Sequence, residues 1–150
     1  MGRRYMAQDS QTTTISPGDT ALALASATTV KPKIYEAIFG TEGTPADNAL
    51  VYNHQRFTLA GTADALNENA LDPDDPASLA TATGNHTVEP TYTANEEMLS
   101  VDLNQRATFR WIAGPDGELI LPATAANGIG CVMFHASYTG DYRCQYFWEE

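Results

Sequence analysis

Apolar and polar residues alternate with a period of two along most of this chain, and no stretch longer than about a dozen residues keeps its apolar positions at helical spacing. The first clear strand is "KIYEAIFG", residues 33–40. Two weaker strand candidates precede it, "QTTTIS" and "TALALASATTV", separated by the turn residues Ser16, Pro17, Gly18 and Asp19. After the loop-like "TEGTPADN", the stretch "ALVYNHQRFTLAG" places Leu50, Tyr52, His54, Arg56 and Thr58 on one face and Val51, Asn53, Gln55, Phe57 and Leu59 on the other. Both faces are mixed, so this strand is expected to be covered on both sides.

The middle of the chain, residues 62–97, is irregular. Asp75 directly before Pro76 is the arrangement favoured at a helix start, because a side-chain oxygen takes an orphan N–H and proline at the first helical position loses nothing. "PASLATA" is therefore expected to form one short helix over residues 76–82, ended by Gly84, with Asp72 and Asp74 near its positive end. The acids of "LDPDDPASLA" are read as shaping the chain rather than holding calcium, since the glycine of a calcium loop is missing. Strands resume with "EEMLSVDL" and "QRATFRWIAG"; "GPDG" predicts a turn from which "ELIL" returns, and "PATAANGIG" a glycine-rich connection. "CVMFHASY" and "YRCQYFWE" predict a final hairpin about Gly140 and Asp141. Seven or so short strands predict an all-β fold: one β-sandwich or jelly-roll-like body, residues 31–150, with an extended N-terminal arm, residues 1–30.

At 150 residues such a body buries roughly 68–70 % of its unfolded surface and needs no metal or disulfide staple. Charge changes the picture more. Eight basic residues against 19 acidic ones give −11, which disfavours nucleic-acid binding. Arg3, Arg4, Lys31 and Lys33 are opposed only by Asp9 and Asp19 in residues 1–33, leaving 4 basic against 17 acidic residues, net −13, in residues 34–150. Two readings stand: a basic arm lying on an acidic protein surface such as a neighbouring copy, or arginines solvated at a flexible end. "MGRRYMAQDS" follows its basic pair with polar residues, so no secretory leader is expected, and Met6 breaks the myristoylation pattern. No apolar run approaches the roughly 20 residues of a membrane span.

The chain offers little recognisable chemistry. In the predicted hairpin Cys144 falls opposite Ser137, which places the sulfurs of Cys131 and Cys144 roughly 20 Å apart. Free thiols are expected, with no metal role, because neither cysteine has a zinc-spaced partner. His86 and Glu89 in "GNHTVEP" lack deaminase spacing, and His135 reads as a structural histidine. There is no GxSxG, HExxH or GxxxxGK[ST] motif, and "ANGIGC" lacks the lysine of a phosphate loop. No catalytic, cofactor-binding or metal-ligating residue is assigned, and no enzymatic activity is expected. "NHT" at 85–87 matches a glycosylation acceptor without a secretory route to use it. Tyr142, Tyr146 and Trp148 share a face with Cys144 and read as core; Arg106 and Arg110 read as partners of carboxylates.

Beyond these local features, "TPADNALVYNHQRFTLAGTA", "ALDPDDPASLATATGNHTVEPTYTANEEML" and "LNQRATFRWIAGPDGELILPATAANGIG" together resemble the capsid decoration, or cement, proteins of tailed double-stranded-DNA bacteriophages. The likeness is one of overall phrasing over about residues 30–150, not of a mechanistic motif. It implies a β-sandwich-like virion protein on the outer capsid surface, assembled in the host bacterial cytoplasm and binding the major capsid protein across capsomer seams. It also implies self-association, a homotrimer first and a dimer second, with no nucleic-acid or membrane partner. On that reading the arm lends a strand to a neighbour, and Arg3, Arg4, Tyr5, Thr13, Ile15, Lys31 and Lys33 are the candidate interface residues. A carbohydrate-binding head-fibre module and a tail or connector component are the alternatives.

Overall fold

In the computed structural model, which describes residues 2–14, 19–43, 46–134 and 139–150, the chain is all-β. Two antiparallel sheets face each other. The first carries β9 (Thr108–Ile112) and β10 (Leu119–Ile120) along one edge of β3 (Lys33–Thr41), followed by β12 (Thr139–Glu149), β1 (Arg4–Thr14) and β6 (Asn69–Ala70). The second runs β5 (Thr62–Ala65), β7 (Thr81–Val88), β2 (Asp19–Ala25), β11 (Gly128–Phe134), β4 (Ala49–Leu59) and β8 (Thr91–Asn104). Their inner faces share one core, in which Tyr5, Phe39, Tyr142, Tyr146 and Trp148 of the first sheet meet Leu22, Leu24, Leu50, Tyr52, Ile129 and Met133 of the second. This is the expected sandwich, and the alternation of Tyr142, Cys144, Tyr146 and Trp148 into the core follows the period-two pattern.

The expected N-terminal arm is not an appendage. β1 pairs with β12 over eleven positions, from Arg4 opposite Glu149 to Thr14 opposite Thr139. Tyr5 and Ala7 are fully buried, and Tyr5 stacks on Trp148 with ring centroids 5.9 Å apart. β2 lies between β7 and β11 in the other sheet. Its "ALALA" puts Leu22 and Leu24 into the main core, while Ala23 and Ala25 face outward beneath Phe57. Residues 1–30 thus supply β1, paired with β12 along its length and with β6 at Tyr5 and Met6, to one sheet and the interior strand β2 to the other. Ile15, Ser16, Pro17, Gly18 and His135 lie outside the described residues.

The helix expected over 76–82 is absent, and the reason lies at the far end of the chain. Asp72 does shape the backbone: its Oδ1 accepts the N–H of Asp74 at 3.1 Å and its carbonyl the N–H of Asp75 at 3.0 Å, closing a turn over Pro73. Beyond it, the N–H groups of Leu79 and Ala80, both 2.9 Å away, donate to the Glu150 carboxylate, which also accepts the Ser78 hydroxyl. The donors that would begin a helix are therefore satisfied from outside, and Thr81 and Ala82 enter β7.

Two expected hairpins are also corrected. β9 and β10 both run antiparallel to β3, with Ile112 opposite Glu36 and Ile120 opposite Lys33. "GPDG" does turn, with the Gly117 N–H donating to the Gly114 carbonyl at 3.0 Å, but it marks an excursion within one edge line rather than a reversal. β11 and β12 belong to different sheets, Gly140 and Asp141 are already paired with β1, and Gly128 and Gly130 lie within β11. Those glycines admit rings from other strands of the same sheet: a Cβ on Gly128 would sit 2.6 Å from Phe57 of β4, and one on Gly130 would sit 2.2 Å from the Tyr92 hydroxyl of β8. β4 keeps an unbroken register with β11, so Leu50, Tyr52 and His54 face inward while Phe57 faces out beside Tyr92, as the alternation predicts; the register shifts lie between β4 and β8. On that outer face Phe57 and Gln55 are buried, Gln55 donating to the Thr93 carbonyl at 2.8 Å, so this part of the strand is covered on both sides as expected.

Candidate functional site

Of the residues expected to form an interface, Arg3, Arg4, Tyr5 and Lys33 are brought to one end of the first sheet, where the termini pair, while Thr13 lies at the other end of β1. The Arg3 N–H donates to the Glu150 carbonyl at 3.0 Å, and the Arg3 guanidinium lies 3.9 Å from Asp75. Arg4 lies 3.6 Å from Glu149, with its guanidinium 5.6 Å from the centre of the Tyr35 ring. Lys33 joins Arg4, Tyr35, Glu118 and Glu149 around a surface depression. Lys31 is exposed nearby in sequence; Thr13 is placed through its backbone, opposite Gly140. Tyr5 is no surface contact: it is buried, and its hydroxyl donates to the Pro76 carbonyl at 3.0 Å. Arg3 and Arg4 thus meet carboxylates of the same chain. Arg110 likewise meets Glu36 at 2.6 Å, as expected of a cation in an acidic molecule.

One end of the second sheet holds a buried polar cluster. Glu89 Oε2 accepts both the N–H and the hydroxyl of Thr20, at 3.0 and 2.5 Å, and the Thr20 and Tyr92 hydroxyls are 2.6 Å apart. The carboxylate takes orphan donors at the start of β2, so the cluster closes a strand end. Burial raises the Glu89 pKa against the opposing effect of the Thr20 hydrogen bonds, and Asp19 adds to the rise. Burial lowers that of His86, whose Nδ1 has no partner.

A second cluster lies between the sheets. Cys131 on β11 is the register partner of His54 on β4, and Cys144 reaches inward from β12. All three are fully buried; one ring nitrogen of His54 and both sulfurs lie within 4.8 Å of one another. The estimate of 20 Å between the sulfurs is overturned because the strands occupy facing sheets rather than one hairpin. Both thiols are free. The Tyr146 hydroxyl is 2.7 Å from His54 Nδ1, while Nε2 has no partner. Burial drives the His54 pKa from 6.5 down to about 3, so the imidazole is neutral. It also pushes the Cys144 thiol and the Tyr146 phenol well above their usual values. No spacing rule finds this trio, because its members come from three strands separated by 77 and 13 positions; the inward alternation of each strand is the only signal, and the sheet assignment was needed to use it.

The third feature is an edge. β8, fourteen residues long, pairs with β4 on one side and has no strand on the other among the described residues. Leu99, Val101 and Leu103 pack against the core, whereas Glu96, Glu97, Ser100 and Asp102 are exposed. Compared with known proteins, the chain matches no family model, no curated protein and no solved structure.

Proposed function

We propose that this protein is an adhesive structural component of a tailed-phage virion, a capsid decoration protein that binds the outer head surface and holds neighbouring capsomers together. The phrase-level resemblance of residues 30–150 to such proteins motivates the reading, and the observation that carries its mechanism is the long unpaired edge of β8. With β1 and β2 built into the sheets, the lent strand of the N-terminal arm gives way to an edge that receives one. An exposed edge offers a row of free N–H and C=O groups, so a strand from the major capsid protein or a sibling subunit can add to it without a pocket. Glu96, Glu97 and Asp102 give that edge a negative sign. They discourage pairing of two such edges and select a partner strand carrying lysine or arginine. Many weak copies on a lattice then act together.

The large apolar side chains exposed among the described residues are aliphatic: Leu59, Leu71, Leu79, Val88, Met98, Ile112 and Ile120. They favour protein contact over the aromatic stacking expected of a carbohydrate-binding head-fibre module. The test is to add purified protein to heads lacking it, measure co-sedimentation and heat resistance, and locate it by electron microscopy. Saturable binding on the outer shell is expected, with β8 against a capsid or sibling strand. Density confined to the tail or connector, or no binding, overturns the reading.

A further inference from the structure

We propose that His54, Cys131 and Cys144 form a buried site for a thiophilic divalent cation of the zinc class, which ties the two sheets together. The inference does not depend on the virion reading. Cys131 and His54 are neighbours on adjacent strands of one sheet, Cys144 comes from the facing sheet, and the donor atoms already lie within 4.8 Å of one another. Zinc–sulfur and zinc–nitrogen bonds of about 2.3 and 2.0–2.1 Å in tetrahedral geometry need donors roughly 3.5–3.8 Å apart. Closing the trio takes side-chain movements of about an ångström or less, without shifting either sheet.

The charges also fit. Two thiolates and a neutral imidazole around a divalent ion sum to zero, the one ionised state of these residues that a core without counter-charges tolerates. Binding releases the two thiol protons to solvent and forms two metal–sulfur bonds and one metal–nitrogen bond, with no change of oxidation state. His54 is prepared for it. Tyr146 holds Nδ1, and Nε2, fully buried and unpartnered, is the nitrogen free to take the ion. A hydrogen bond to the second ring nitrogen is the usual support of a ligating histidine. Three protein donors leave one position for water, and with every ligand buried the ion is a cross-link, not a reaction centre.

The test uses the full chain, unfolded and refolded under reductant with cobalt(II) or zinc(II), then freed of loose metal. Wild type is expected to retain about one ion per chain, to show a sulfur-to-cobalt charge-transfer band, and to melt at a higher temperature with zinc but not with magnesium. Cys131→Ser and Cys144→Ser should each weaken or abolish that band, while Tyr146→Phe should keep it at lower affinity. Because those variants can misfold, wild type decides alone. No retained ion in wild type, or a band of undiminished intensity in both serine variants, overturns the site. So does a pair that a mild disulfide oxidant takes to the disulfide, with loss of two hydrogens, as fast with zinc present as without it, since the ion then does not hold the sulfurs.

Discussion

β1 and β8 are two long strands with opposite positions in the sandwich. β1 pairs with β12 along its whole length, meets β6 at Tyr5 and Met6, and sends Tyr5 and Ala7 into the core. β8 lies at the margin of the other sheet, and even its inward side chains, Leu99, Val101 and Leu103, are only partly buried. The first is needed for the fold to exist, whereas the second leaves backbone groups available to a partner. The contrast reverses what charge alone suggests, since the basic end of the chain is satisfied internally by Asp75, Glu149 and Glu150, and the open edge is acidic.

The largest effect should come from removing residues 2–14. Loss of a central strand is expected to abolish cooperative unfolding, read by circular dichroism on heating; a truncated protein that melts like the intact one would return β1 to the status of an arm. Next, Tyr5→Ala should cost about 3–5 kcal/mol in denaturant titration, by loss of a buried ring, while Val101→Ala on the edge strand should cost about 1 kcal/mol. Equal costs would erase the distinction between the strands.

The polar cluster beside β8 gives a pH-dependent test. The Glu89 pKa is raised above 4.5 in the fold, so the folded chain holds its proton more tightly than the unfolded chain. Its contribution is full below pH 4.5 and is lost as pH rises through the folded value. His86, lowered from 6.5, acts in the opposite sense, and its contribution is lost as pH falls below 6.5. Glu89→Gln keeps an oxygen for the Thr20 N–H and removes only the first dependence. Stability of the variant relative to wild type should therefore rise between pH 4.5 and neutrality, measured by urea titration at several pH values. The smallest stability effect, below about 0.5 kcal/mol, is expected for Glu96→Lys with Glu97→Lys. These exposed changes should nonetheless weaken head binding strongly in co-sedimentation; unchanged binding would exclude β8 as the docking edge.

Much of the architecture was legible along the chain because inward and outward positions alternate locally: the sandwich class, the burial of Tyr142, Cys144, Tyr146 and Trp148, and the pairing of Arg110 with a carboxylate rest on neighbours within a strand or on an excess of one charge. The absent helix shows where such reading stops. Asp75 and Pro76 are sound helix-start residues, but Glu150, more than seventy positions away, takes the N–H groups of the segment. Local preference of order one kcal/mol yields to several charge-assisted hydrogen bonds. The register shifts between β4 and β8 were illegible for a related reason: they depend on how the two strands pair, which neither specifies alone.

What the chain by itself determined is period and sign: strands in place of helices, which side chains turn inward, and a net charge of −11. Only the tertiary structure decided which strands share a sheet. That choice paired the N-terminal strand with the C-terminal one while Arg3 and Arg4 stay exposed, left β8 with a free edge among the described residues, and set Cys131 and Cys144 face to face across the core. Alternation fixes the direction of a side chain relative to its own backbone, but strand pairing is a long-range contact whose partner no local pattern names.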